Sequence, residues 1–121
     1  MGWHVPTDAE WSTLIQHIDN TALATTFGNQ STTAGTLMKE NSNLWNGSAP
    51  RTNTSGFKGL PGGYRDNFGS FEDVRSFTFF WSASDDGSSN GGFRGLSFNN
   101  GNVFRNFANK SYGYSIRCLK D

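Results

Sequence analysis

Residues 91–107 read GGFRGLSFNNGNVFRNF. Two short runs, GGFRGLSF (91–98) and NVFRNF (102–107), flank Asn99-Asn100-Gly101, whose Asn-Gly step is a strong hairpin signal because both residues tolerate positive φ. Upstream, SGFKGLPGGYR (55–65), FGSF (68–71) and FTFFWSAS (77–84) are further short runs broken by Gly, Ser and Pro, each reading as a strand or an aromatic-anchored loop. Downstream, Tyr114 to Leu119 is expected to form a final strand with Ile116 on one face and Ser115 and Arg117 on the other. If Val103 and Ile116 face the core, alternation sends Asn102, Phe104 and Asn106 to the opposite face.

The first 40 residues have a different period. Thr7-Asp8-Ala9-Glu10 is a capping box, in which the Thr7 hydroxyl accepts from the Glu10 amide while the Glu10 carboxylate reaches back to the Thr7 amide. Trp11, Leu14, Ile15 and Ile18 then recur at helical spacing and form one apolar face, ending about Asp19 or Asn20. Ala34 to Glu40 is expected to form a second short helix. Helices followed by a mostly antiparallel sheet make an α+β domain spanning residues 1–121, with no internal repeat and no linker.

Composition agrees with that class. The chain holds 15 glycines, 11 Phe, 4 Trp and 3 Tyr in 121 residues, of which only 17% are charged, favouring short strands and tight turns over a bundle. Ten basic and ten acidic residues cancel, leaving no global field to attract nucleic acid or an anionic membrane. No apolar run reaches the length of a membrane-spanning helix, and MGWHVPTDAEW lacks the basic and apolar regions of a signal peptide, so a soluble chain without an address is expected. The single cysteine, Cys118, excludes an internal disulfide.

Candidate chemistry is sparse. His4 and His17 have no cysteine or obvious serine partner and read as structural. Asp85-Asp86 lacks the further spaced oxygens of a calcium site, and GLPGG (59–63) lacks the lysine and spacing of a phosphate loop. The Asn-x-Ser patterns at Asn29, Asn46, Asn53 and Asn109 are expected by chance in an Asn- and Ser-rich chain. No catalytic residues, metal site or cofactor are assigned, and a non-enzymatic role is expected.

Taken in order, GWHVPTDAEW, SGFKGLPGGYR, FFWSAS and YSIRCLKD resemble the Fibrobacter succinogenes major paralogous domain family, from Gly2 to Asp121. That resemblance implies a C-type-lectin-like fold and an extracellular or cell-surface setting. It also implies that Cys118 has lost a mate, because family members commonly carry Cys-Pro just before the Gly-Trp-His-Val-Pro motif. The Glu-Pro-Asn and Trp-Asn-Asp signatures of calcium-dependent sugar binders are absent, as are the reactive cysteines of the related formylglycine-generating oxidase.

A second resemblance lies in the last third. Phe93-Arg94-Gly95-Leu96 and the stretch from Asn102 to Arg117 look like the variable region of proteins diversified by retroelements, where an Asn-codon-rich template is copied with adenine-specific errors. Leu96, Val103, Arg105, Lys110, Ser111, Gly113, Ser115, Ile116 and Arg117 match the constant frame. An Asn codon changed only at its adenines never yields Lys, Glu, Gln, Met or Trp, and residues 84–109 contain none of these, whereas residues 1–83 contain 13. The variable region is placed at about residues 84–114. The resemblance implies a ligand-binding surface made of Phe93, Phe98, Asn99, Asn102, Phe104, Asn106, Phe107, Ala108 and Tyr112, directed at a protein or glycan on a cell surface. Its mixture of aromatic and small polar side chains has the composition of a paratope. Two alternatives stand beside it: the aromatics cover a second small core, or the domain is an undiversified carbohydrate-binding or adhesive module of the same family.

Overall fold

The computed structural model describes residues 2–121. The chain begins with strand β1 (Trp3–His4) and enters helix α1 (Asp8–Ile18) through the expected capping box. The Thr7 hydroxyl accepts from the Glu10 amide at 3.2 Å, and the Glu10 carboxylate accepts from the Thr7 amide at 2.9 Å. Strand β2 (Gly28–Ser31) and helix α2 (Ala34–Met38) follow, then an irregular segment to the short hairpin of β3 (Tyr64–Arg65) and β4 (Phe71–Glu72). Three longer strands, β5 (Phe77–Asp85), β6 (Asn90–Ser97) and β7 (Val103–Asn109), form a meander, and β8 (Leu119–Lys120) closes the chain.

The main sheet is antiparallel with strand order β2-β7-β6-β5. Its β6–β7 hairpin is the one signalled by Asn99-Asn100-Gly101, in a register that pairs Leu96 with Val103 and Arg94 with Arg105. One face takes the apolar side of α1. Trp11 and Ile15 pack there with Met38, Trp45, Phe80, Leu96 and Val103 in one buried cluster. The Trp11 ring lies 5.6 Å from Phe80 and 5.9 Å from Phe57. The domain is thus a helix-on-sheet α+β unit with two helices and mostly antiparallel strands, as expected.

Two expectations need correction. Helix α2 stops at Met38 instead of Glu40, because the chain becomes extended at Lys39 and pairs with Gly59: the Glu40 and Gly59 amides donate to Gly59 and Met38 carbonyls, at 3.0 and 2.8 Å. The strand expected over Tyr114–Leu119 is not continuous. Ser115 makes a single parallel bridge to Phe80, and the chain then leaves β5 to pair with β1 at Leu119–Lys120. Ile116 therefore belongs to no sheet face and is 52% exposed, so it is not core.

The β1–β8 pair closes the domain at its ends. Trp3 pairs with Lys120 and His4 with Leu119, while the Asp121 amide donates to the Gly2 carbonyl at 3.1 Å. The His4 ring bridges the Asp121 carboxylate, at 2.7 Å, and the Glu10 carboxylate, at 3.1 Å. Asp121 first, then Glu10, raise the His4 pKa. Cys118 is free and exposed.

Candidate functional site

The two faces of the main sheet carry different chemistry, and the helix-side face anchors the other. Arg94 and Arg105 are register partners on that face, a juxtaposition of like charges that is unfavourable by itself. Asp8, in the first turn of α1, resolves it. Its carboxylate accepts from Arg94 Nη1 at 2.7 Å, from Arg105 Nη2 at 2.8 Å and from Arg105 Nε at 3.1 Å. Arg94 also donates to Gln30 Oε1 and Ser12 Oγ, each at 2.9 Å, and Arg105 to the Thr25 carbonyl at 2.9 Å with its guanidinium 4.4 Å from the Phe27 ring. Burial pushes the Asp8 carboxyl up, but the Arg105 and Arg94 hydrogen bonds outweigh it and hold the carboxyl below its ordinary value. These bonds join α1, β2, β6 and β7, and nothing in local sequence pattern announces them.

On the opposite face, strand alternation brings together Phe77, Phe79, Trp81, Phe93 and Phe104. Phe79 stands 5.5 Å from Phe93, and Phe93 stands 6.0 Å from Phe104. Gly95 lies between β5 and β7 on this face, and a Cβ there would fall 2.8 Å from the Phe79 ring, so the glycine makes room for it. Tyr64 and Tyr114 flank the layer, with Trp81 and Tyr114 centroids 4.3 Å apart. Burial first, then Tyr112 and Tyr64, push the Tyr114 hydroxyl up to about 12, so it stays neutral.

The nine candidate residues divide among distinct places. Asn99, Asn102 and Phe104 line one hollow of about 440 Å³, together with Asn29, Phe77 and Phe79. Phe93, Asn106, Phe107, Ala108 and Tyr112 line a neighbouring hollow of about 370 Å³ that shares Phe77 and Phe79. Phe98 lines neither hollow: it is partly buried against the core cluster, edge-on to Phe77 at 6.2 Å, so it is not part of the outer surface expected of it. Exposure separates them further: Phe93 is 6% exposed and acts as floor, whereas Phe104 is 37% exposed at the rim. The Phe107 side chain turns to the helix-side face, packing on Phe27 at 5.8 Å and contacting the Gly92 position, away from the outward rings of Phe93 and Phe104. Asn29, Phe77 and Phe79 were missed in the sequence because they lie on β2 and β5, outside the segment that drew attention. A pair of outward aromatics at 77 and 79 was the available signal.

The loop between β6 and β7 is held from beneath. Lys39 is 1% exposed and donates from Nζ to the Ser97 and Asn100 carbonyls at 2.8 and 2.6 Å. Burial, with Arg51 nearby, pulls its pKa down to about 8, so it remains an ammonium at neutral pH. The Gly35 amide donates to the Gly101 carbonyl at 2.9 Å, and a Cβ at Gly35 would collide with the Asn102 carbonyl. All of these hydrogen bonds from α2 and Lys39 end on main-chain carbonyls, so this part of the anchoring does not depend on the loop's side chains, although Gly101 has no room for a Cβ against Thr36 and the Thr32 carbonyl.

Among the described residues, no cluster of three or more His, Cys, Asp or Glu is placed to hold a metal ion, and no helix is long and apolar enough to cross a membrane. No curated protein and no solved structure matches the chain. The model of the Fibrobacter succinogenes major domain matches residues 1–120. A match over that length, on a chain whose capping box, aromatic strand and C-terminal strand form one unit, places the protein in the Fibrobacter succinogenes major domain family.

Proposed function

We propose that this domain is a non-catalytic ligand-binding module of C-type-lectin-like fold, with a binding surface on the aromatic face of its sheet. Retroelement copying diversifies its C-terminal segment, about residues 84–114, and its ligand is a protein or glycan at a cell surface. The observation that carries the reading is the loop between β6 and β7. Its side chains border the larger hollow, while α2 and Lys39 grip it by main-chain carbonyls alone. Such a loop accepts new side chains at little cost in folding, which is what a diversified surface requires. Phe104 supplies a rigid aromatic contact at the rim, and the asparagines supply adaptable hydrogen bonds.

A library randomised at Asn99, Asn102, Phe104 and Asn106 tests this reading. Most members should melt within about 4 °C of the parent, the shift that roughly 1 kcal/mol produces in a domain of this size, and selection should yield binders to unrelated proteins or glycans. Widespread unfolding would show these side chains to be structural and end the proposal. Diversification has its own test in the genome: a reverse-transcriptase gene nearby, with a near-copy of the coding segment that differs only at adenines.

Asn29, Phe77 and Phe79 favour a second reading, because they share the larger hollow yet lie outside the segment. On that reading the domain is an undiversified carbohydrate-binding or adhesive module. A calcium-independent preference for one sugar on a glycan array would support it.

A further inference from the structure

The larger hollow has a chemical character that narrows its ligand. It is built from Asn29, Asn99, Asn102, Phe77, Phe79 and Phe104, with Gly95, Leu96, Ser97 and Asn100 completing it, and none of these ten residues carries an ionisable side chain. The closest cation below the loop, Lys39, is buried and spends its ammonium on two carbonyls, out of reach of a bound molecule. An anionic ligand would lose its hydration here and gain no counter-charge, which is costly.

The polar groups present are carboxamides. Asn99 Oδ1 accepts from Ser97 Oγ at 2.6 Å and from Asn100 Nδ2 at 3.0 Å, and Asn100 Oδ1 accepts from the Asn102 amide at 3.0 Å, which fixes the loop side of the rim. The Asn29 and Asn102 carboxamides make no hydrogen bond to the described residues, so each presents one acceptor and two donors. Asn29 and Phe104 are register partners across β2 and β7, so an unspent carboxamide and an exposed ring stand side by side. Phe77 and Phe79 lie parallel behind them, 9° apart with centroids at 5.9 Å, as an apolar wall.

We infer that this hollow is a subsite for an uncharged pyranose of a glycan, with Asn29 and Asn102 holding neighbouring hydroxyls and Phe104, Phe77 and Phe79 contacting the C–H surface of the ring. The match is one of chemistry: a neutral sugar offers paired hydroxyls that both donate and accept, as a carboxamide does, together with apolar C–H faces. The volume, about 440 Å³, falls in the roughly 300–1,000 Å³ range of small-ligand sites. This inference rests on the proposed binding function and adds the ligand class and three contact residues, Asn29, Phe77 and Phe79, that lie outside the variable segment.

The experiment is titration of the whole domain with neutral oligosaccharides of glucose, galactose and mannose, with uronic-acid and sulfated oligosaccharides as charged counterparts. Binding is followed by ligand-observed NMR and calorimetry, for the parent and for Asn29→Ala, Asn102→Ala and Phe104→Asn. At least one neutral series should bind, with affinity unchanged by EDTA and between about 50 mM and 500 mM salt. Asn29→Ala and Asn102→Ala should each weaken it about fivefold to tenfold, and Phe104→Asn at least as much. Preference for the charged series, strong salt dependence, or no neutral binding at all overturns the inference. If neutral sugars fail but the domain captures a cell-surface protein in a Phe104-dependent way, the ligand class is wrong and the binding function stands. If a neutral sugar binds and all three variants bind like the parent, the hollow is not the site and both proposals fall.

Discussion

The two faces of the main sheet solve opposite problems. The helix-side face holds buried Arg94, Arg105 and Gln30 and half-buried Asp8 in one set of hydrogen bonds, in which a single carboxylate serves both guanidiniums. The outer face carries aromatic rings and asparagines, and at Asn29 and Asn102 it leaves carboxamides without hydrogen-bond partners among the described residues. One face has no freedom to change, since removal of any member strands another in a dry place. The other keeps its backbone through contacts from below and through the Asn99 and Asn100 side chains at the loop, and leaves the Asn29, Asn102 and Phe104 side chains at the rim free of hydrogen bonds to the described residues. The difference teaches that tolerance on one face is supported by rigidity on the other.

The most forceful way to break that contrast is at Asp8. Asp8→Ala leaves Arg94 and Arg105 facing each other without an anion and should cost about 3–5 kcal/mol, read as a lowered denaturation midpoint; a loss under about 1 kcal/mol would show that the arginines are hydrated and the face is not rigid. Acid should act in the same direction. The Asp8 pKa is lower folded than unfolded, so its contribution is fully present above about pH 4 and is lost as pH falls through the depressed folded value.

Within the outer face, Phe93 and Phe104 sharpen the comparison. Phe93→Ala removes the floor and should cost about 3 kcal/mol, whereas Phe104→Asn should stay within about 0.5–1 kcal/mol of the parent while abolishing binding. Equal losses at both positions would make the outer layer a second core throughout. Lys39→Met strands two loop carbonyls and should cost about 1–3 kcal/mol, with hydrogen exchange accelerated at Asn99 to Asn102 before it changes in β6. Uniform acceleration would show that Lys39 supports the whole domain instead of the loop. The smallest effect belongs to His4. Its pKa is raised in the fold, so the stabilisation is full below about pH 6.5 and fades as pH rises through the higher folded value; exchange of the Asp121 amide should quicken over that interval, and a flat profile would remove His4 from the closure.

Local features were legible because their causes are local. The capping box needs four consecutive residues, and the β6–β7 hairpin needs its two flanking runs, so α1 and the hairpin could be placed from sequence. The turn itself is not the expected two-residue one, because neither Asn100 nor Gly101 takes positive φ and the connection spans Phe98 to Asn102. The Asp8 bracket could not, because its partners lie 86 and 97 residues away and burial of two guanidiniums contradicts the usual placement of charge. The last strand failed for a related reason: Ile116 has a strand-like neighbourhood, but competition between pairing with Phe80 and pairing with β1 decides its fate. In the candidate site, alternation placed Asn102, Phe104 and Asn106 outward. It also carries the parity that turns Phe107 inward, which grouping by proximity to a turn overlooked.

The pairing of β1 with β8 has a consequence for use. Gly2 and Asp121 exchange a hydrogen bond, so the polypeptide enters and leaves the domain at neighbouring points. A unit with adjoining ports can be spliced into a surface loop of another protein without prising that loop apart. It would then present its aromatic face as a cassette, which makes the domain a natural insert for display scaffolds.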